Sequence, residues 1–162
     1  MQHVYSPWRF SYVSRTKDED GCVFCAIGSA APDRDAELFV LHRAEHHFVV
    51  LNIYPYTTGH LMVVPYAHRA SLSALPEAAL GELARLAARV ERLLFDVYRA
   101  EGVNFGMNLG RCAGAGIAEH IHLHAVPRWC GDTNFMTVTA DTRVLPEDLA
   151  ETWRKLAGRI EA

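Results

Sequence analysis

Hydrophobic and polar positions change their spacing several times along the chain, and each change marks an element. Residues 1–36 carry no sustained period. Turn formers lead through Asp18-Glu19-Asp20-Gly21 into Cys22-Val23-Phe24-Cys25, and residues 28–35 read as a loop, so this part is an N-terminal arm ending in a knuckle. From Leu38 the apolar residues fall into short β-rich blocks, 38–41, 48–53 and 61–64. The last two are separated by Tyr54-Pro55-Tyr56-Thr57-Thr58-Gly59, the pattern of antiparallel strands joined by turns. A long helix follows, with Ser73 as its cap, Pro76 and Glu77 in the first turn and a close near Gly102. Leu80, Leu83, Ala87, Val90, Leu94 and Val97 recur at helical spacing and form its core stripe, with Glu82, Arg85, Arg89 and Arg92 on a solvated face.

Residues 104–109 and 120–126 are again strand-like, separated by the glycine-rich Gly110-Arg111-Cys112-Ala113-Gly114-Ala115-Gly116. The helical signature returns at the end of the chain, where Pro146 and Glu147 open a segment with Leu149, Trp153, Leu156 and Ile160 on one face. Strands, helix, strands, helix spell an α+β fold: an antiparallel sheet with one long central helix and a C-terminal helix. The expected organisation is a single domain over 1–162, with 1–36 as arm and knuckle and 140–162 as a C-terminal helical extension.

Composition narrows the function. A chain of 162 residues, 50% hydrophobic and 22% charged, holds one compact core. Its formal charge of −3 supplies no basic field for nucleic acid or an anionic membrane, so any phosphate recognition is local. No apolar run approaches the roughly 20 residues that cross a bilayer, and the first residues lack a signal-peptide pattern, which predicts a cytoplasmic protein.

The nine histidines are the unusual count, and three of them alternate in His120-Ile121-His122-Leu123-His124. On an extended strand this puts three imidazoles on one face and the apolar residues on the other, with same-face residues about 6.6–6.8 Å apart. A neutral imidazole, with an ordinary pKa of about 6.5, is a good nucleophile near neutral pH, and its attack on phosphorus divides one displacement into two. Neighbouring imidazoles then fix its tautomer and the phosphate oxygens, while backbone N–H groups of Gly114, Ala115 and Gly116 meet the charge that develops. His42, His46 and His47 flank a strand and read as surface residues.

The row resembles the signature of the histidine triad family of nucleotide hydrolases and transferases, and the segment from Asn52 through Gly59-His60 to Val64-Pro65 resembles that family's nucleotide-binding hairpin. Trp8-Arg9-Phe10-Ser11-Tyr12, Gly106-Met107-Asn108-Leu109-Gly110, Gly114-Ala115-Gly116-Ile117 and Pro127-Arg128-Trp129 with Gly131-Asp132-Thr133-Asn134-Phe135 are similar to its bacterial diadenosine tetraphosphate phosphorylases. The resemblance implies that His122 is the nucleophile toward the α-phosphorus, that His124 orders the site, that Asn52 holds ribose hydroxyls, and that His60 and Asn108 lie near phosphates. The implied reaction moves AMP from diadenosine tetraphosphate onto His122 with release of ATP, then onto inorganic phosphate to give ADP; the alternative is a hydrolase that uses water on a dinucleoside polyphosphate or a nucleoside phosphoramidate. Gly116 departs from the family's hydrolases, which carry a larger polar residue there, and the space it leaves is the physical basis for phosphate rather than water as acceptor. A homodimer is implied as well, through the long helix or a strand edge.

Cys22-x-x-Cys25 alone serves redox chemistry, zinc or nothing. The family pattern completes it with His68 and His120 into a closed Cys₂His₂ structural zinc site. A divalent ion on the polyphosphate is compatible with the chemistry, although the sequence has no carboxylate cluster dedicated to it. Cys112 and Cys130 read as small packed or partly exposed residues. Trp8, Trp129 and Phe135 are open between an adenine pocket and a core or subunit contact, and Arg128 between phosphate and a carboxylate.

Overall fold

The computed structural model describes residues 21–132 and 147–160. Trp8, Phe135, Pro146 and the arm before Gly21 lie outside the described residues. Five strands, β1 (Val40–Arg43), β2 (His47–Leu51), β3 (Leu61–Pro65), β4 (Gly102–Gly106) and β5 (Leu123–Arg128), form one antiparallel sheet in the order β1-β2-β3-β5-β4. Among the described residues three α-helices accompany it: α1 (Val23–Ser29), α2 (Glu77–Tyr98) and α3 (Leu149–Leu156). The expected α+β architecture is the observed one. None of the described helices is long and apolar enough to cross a membrane.

Every residue of β2 and β3 is buried, because the sheet is covered on both faces. Leu41, Val49, Leu51, Leu61, Val63, Leu123 and Ala125 pack with Leu83, Leu86, Val90, Leu93 and Leu94 of α2 and with Leu156 and Ile160. On the other face Val40, Phe48, Val50, Met62 and Val64 pack with Phe24 of α1. The uninterrupted apolar runs of β2 and β3 are the sequence trace of this double coverage. α1 has no such trace, being too short for periodicity to register.

Boundaries differ from expectation for local reasons. Ser73 lies in a separate 3-10 turn, Leu72–Ala74, and Leu75, preceding Pro76, is extended as residues before proline tend to be. Helix α2 therefore starts at Glu77 and ends where Arg99 turns left-handed, short of Gly102. Its buried seam runs through Ala79, Glu82, Leu83, Leu86, Val90, Leu93 and Leu94, so the stripe is rotated from the expected one and Leu80 is exposed. α3 is capped by Asp148, whose carboxylate accepts the Glu151 N–H at 2.7 Å. Ile160 is buried beyond the end of that helix rather than within it.

Glu82 corrects the reading of a solvated face. Its carboxylate accepts the backbone N–H groups of Glu45 at 3.2 Å and His46 at 2.9 Å, and the Nδ1–H of fully buried His47 at 2.9 Å. His47 is thus an internal residue, not a surface one. Burial lowers its pKa and keeps it neutral, while the donors around Glu82 outweigh desolvation and hold that carboxyl below its usual range. The β1–β2 turn offers donors with no strand partner, and α2 supplies the acceptor. Glu82→Ala should cost about 2–4 kcal/mol in urea unfolding, since it leaves buried donors unsatisfied, whereas Glu45→Ala should cost under about 0.5 kcal/mol.

Candidate active site and metal centre

The three histidines of the row do not share one strand. β3 ends at Pro65, which has no N–H to extend a ladder, and the β3–β5 register stops at Val63 opposite Leu123. His120 and His122 precede the strand, and only His124 lies in it, opposite Met62 and Gly106. Nor is the imidazole face a wet one, since His120 and His122 are both buried.

His120 turns toward the knuckle. Its Nε2–H is donated to the Pro65 carbonyl at 2.8 Å, which leaves Nδ1 as the lone-pair nitrogen, 3.2 Å from Cys22 Sγ and 3.6 Å from Cys25 Sγ. His68 Nδ1 lies 3.3 Å from Cys25 Sγ. All four ligand atoms fall within 4.8 Å of one another. Bond lengths of about 2.3 Å to sulfur and 2.0–2.1 Å to nitrogen give a tetrahedral edge between N and S of about 3.6 Å, so the residues fit a closed four-ligand ion. Burial and the adjacent Cys22 push the Cys25 thiol up, and burial keeps His120 neutral; a cation between them relieves the first and uses the second. The sequence-predicted ligand set is assembled in full.

His122 is oriented by the same residue through its backbone. Its Nδ1–H is donated to the His120 carbonyl at 2.9 Å, so Nε2 carries the lone pair, and burial lowers its pKa. The tautomers of the other two follow from their partners. His60 Nδ1 accepts the Tyr56 N–H at 3.1 Å and lies 3.4 Å from Asn52 Nδ2; the Asn52 Oδ1 accepts the Tyr54 N–H at 2.9 Å, which fixes the amide orientation. His60 Nε2–H is therefore the donor to His124 Nδ1 at 3.0 Å, and neutral His124 carries its proton on Nε2. The His122 and His124 rings meet edge to face at 4.8 Å between centroids.

His60 is almost completely buried, and both its ring nitrogens are engaged within the protein, one of them with His124. Burial is the main reason its pKa falls to about 3, with His124 and His122 adding to it. Gly59 precedes it at φ +79°, and a Cβ there would lie 3.2 Å from the Tyr98 ring.

Other expected site residues divide. Asn52 is at the histidines and half-buried, and Asn108 is half-buried beyond the end of β4. The Gly114 N–H is donated to the Arg111 carbonyl at 3.0 Å and the Ala115 N–H to Gly110 at 3.4 Å, so these two serve their own loop; Gly116 is exposed. Trp129 donates its indole N–H to the Tyr98 carbonyl at 3.3 Å, and its half-buried ring packs on the α2 face of the sheet. Arg128 meets a carboxylate, Asp132, at 2.9 Å, and Asn104 at 2.9 Å. Cys112 and Cys130 are exposed. Two aromatics were missed. Tyr56 lies over His60 at 4.7 Å, and Phe24 sits 4.9 Å from His122. An aromatic in a turn before a histidine was a readable sign for the first, and the residue inside Cys-x-x-Cys for the second.

Residues 33–130 match the family model of the HIT domain. The chain belongs to the HIT family. Over 97% of its length this HIT protein is 37% identical to a Mycobacterium tuberculosis protein named AP-4-A phosphorylase, covering 83% of that relative. Among solved structures it resembles a Zn-bound histidine triad family protein from Mycobacterium smegmatis, at 33% identity and a TM-score of 0.69, over 86% of this chain and 93% of that one. A hypothetical histidine triad nucleotide-binding protein from Sulfolobus tokodaii is 28% identical, with a TM-score of 0.66, over 86% and 91% of the two chains.

The buried neutral histidine makes a pH prediction. His60 is protonated below its ordinary pKa in the unfolded chain but not until about pH 3 in the folded one, so the unfolded state binds the extra proton and stability falls as pH falls through this window. The expected slope from this residue is about 1.4 kcal/mol per pH unit. Urea unfolding between about pH 5.5 and 4.5 should show His60→Gln losing roughly that much of the wild-type slope.

Proposed function

We propose that this HIT protein is a nucleotidyl-transferring enzyme that phosphorolyses diadenosine tetraphosphate to ADP and ATP. The observation that carries the reading is the tautomer pair at the row: His122 with its lone pair on Nε2, beside His124 with its proton on Nε2. The first is a nucleophile and the second a donor to phosphate oxygens. The named Mycobacterium tuberculosis relative supports nucleotide chemistry.

In the first step His122 Nε2 attacks the α-phosphorus; a P–N bond forms as the P–O bond to ATP breaks, and the electron pair leaves with ATP. In the second, an oxygen of inorganic phosphate forms a P–O bond to the same phosphorus as the P–N bond breaks, the electron pair returns to Nε2, and ADP is released. His60, whose pKa burial lowers to about 3, is neutral near pH 7 and holds the His124 tautomer through its Nε2–H. Asn52, at the mouth of the hairpin, is assigned to the ribose hydroxyls, Asn108 to a phosphate, and exposed Gly116 leaves room for the phosphate acceptor. Cys22, Cys25, His68 and His120 hold structural zinc, a reading supported by the fit of their ligand atoms and by the Zn-bound Mycobacterium smegmatis neighbour. The outer edge of β4, which pairs with no further strand among the described residues and carries Phe105 at 39% exposure, is the proposed contact with a second copy.

Product analysis of diadenosine tetraphosphate with and without inorganic phosphate tests the reaction. ADP and ATP are expected only with phosphate, and His122→Asn should lower turnover more than about a thousandfold. AMP and ATP independent of phosphate would replace the phosphorylase with a hydrolase.

Metal analysis of the purified protein should give about one zinc per chain. Cys25→Ser should weaken zinc binding by more than the roughly 10–100-fold that loss of an outer-shell partner costs.

A further inference from the structure

Phe24 lies between the two knuckle cysteines, is 4% exposed, and faces two rings of the row. Its centroid is 4.9 Å from His122 with the planes tilted at 52°, and 5.4 Å from His120 in an edge-on arrangement at 69°. The His122 ring is therefore bounded by Phe24 and, at 4.8 Å, by His124. Its remaining constraint is the hydrogen bond from Nδ1–H to the His120 carbonyl.

Helix α1, which carries Phe24, is held at both ends. At its start Cys22 and Cys25 face His120 and His68. At its end Arg43 donates to the Gly28 carbonyl at 3.1 Å and the Ile27 carbonyl at 3.3 Å, while its guanidinium is paired with Asp35 at 2.7 Å. Gly28 lets the helix close on the sheet, since a Cβ there would lie 3.1 Å from the Tyr66 ring and 3.3 Å from Phe48. A helix of seven residues has little stability alone, so its position depends on these ties.

We propose that Phe24 is a positioning residue for His122, and that the metal knuckle is thereby part of the catalytic apparatus: through Phe24 it fixes the nucleophile's ring plane, and with that plane the Nδ1–H bond to the His120 carbonyl that sets the tautomer. The proposal rests on the reading of His122 as nucleophile. The physical argument is that an imidazole held only by one hydrogen bond turns about its outer torsion, whose energy wells are broad, and rotation of the ring redirects the Nε2 lone pair. Contact with both the Phe24 and the His124 ring removes that freedom. A merely structural Phe24 would fill the same volume without fixing the ring.

The test compares metal-loaded wild type, Phe24→Leu and Phe24→Met, two substitutions that preserve apolar bulk, with His122→Asn alongside. Three quantities are read: bound metal per chain, the tautomer of His122 by long-range proton–nitrogen NMR correlation, and kcat and KM for diadenosine tetraphosphate. Both Phe24 variants are expected to retain the metal, to replace the single Nδ1–H tautomer of His122 by a mixture or a broadened signal, and to lose tenfold or more in kcat with KM within twofold. Retained metal with an unchanged His122 tautomer and unchanged kcat in either variant overturns the proposal. So does loss of metal in both variants with a wild-type His122 signal, which would make Phe24 a support of the knuckle alone. Turnover by His122→Asn at the wild-type rate would instead overturn the nucleophile reading, and it is distinguishable because the tautomer measurement requires no turnover.

Discussion

His120 is wholly buried, and each of its polar groups is turned toward a different part of the molecule. The ring Nε2–H closes the end of β3 at Pro65, Nδ1 faces the two cysteines of the knuckle, and the backbone carbonyl takes the Nδ1–H of His122. A buried imidazole with an unmet nitrogen is costly, so this residue has essentially one acceptable arrangement. That arrangement dictates where the knuckle docks and which nitrogen of His122 is available for chemistry.

The opposite face of the sheet is organised by a second buried polar contact. Glu82 enters the α2 seam at a position where an apolar residue would pack more simply, because the β1–β2 turn leaves N–H groups and the His47 ring pointing at it. This contact sets the rotation of α2 over the sheet, and with it which of its leucines are core. C-terminal helix α3 closes the same layer through Leu156 and through the Trp153 indole N–H donated to the Val40 carbonyl at 2.9 Å.

Burial lowers the pKa of His60, His120 and His122, and a neutral ring has one donor and one acceptor. The direction of the chain from Tyr56 through His60 to His124 then follows without further assumption. Phosphoryl transfer asks a protein mainly for placement and for oriented donors, and rings with defined tautomers in a largely water-excluded wall are suited to both.

Much of this was legible in the residues alone. Alternation in the row, the apolar blocks and the helical stripes identify the α+β class and carry the resemblance to the family, and it is that resemblance which implies His68 and His120 as partners of Cys22 and Cys25. These are local patterns, and residue spacing along a chain carries them. What spacing could not carry is which groups from distant segments meet. The Glu82–His47 contact, the burial of His60 behind His124, the packing of Trp129 on the α2 face and the placing of Phe24 against His122 are contacts between separate elements, set by how the sheet, α1 and α2 pack. Sequence determined the elements and the kinds of chemistry available; only the tertiary structure decided tautomer, orientation and burial, because those depend on the partner each polar atom finds when water is removed.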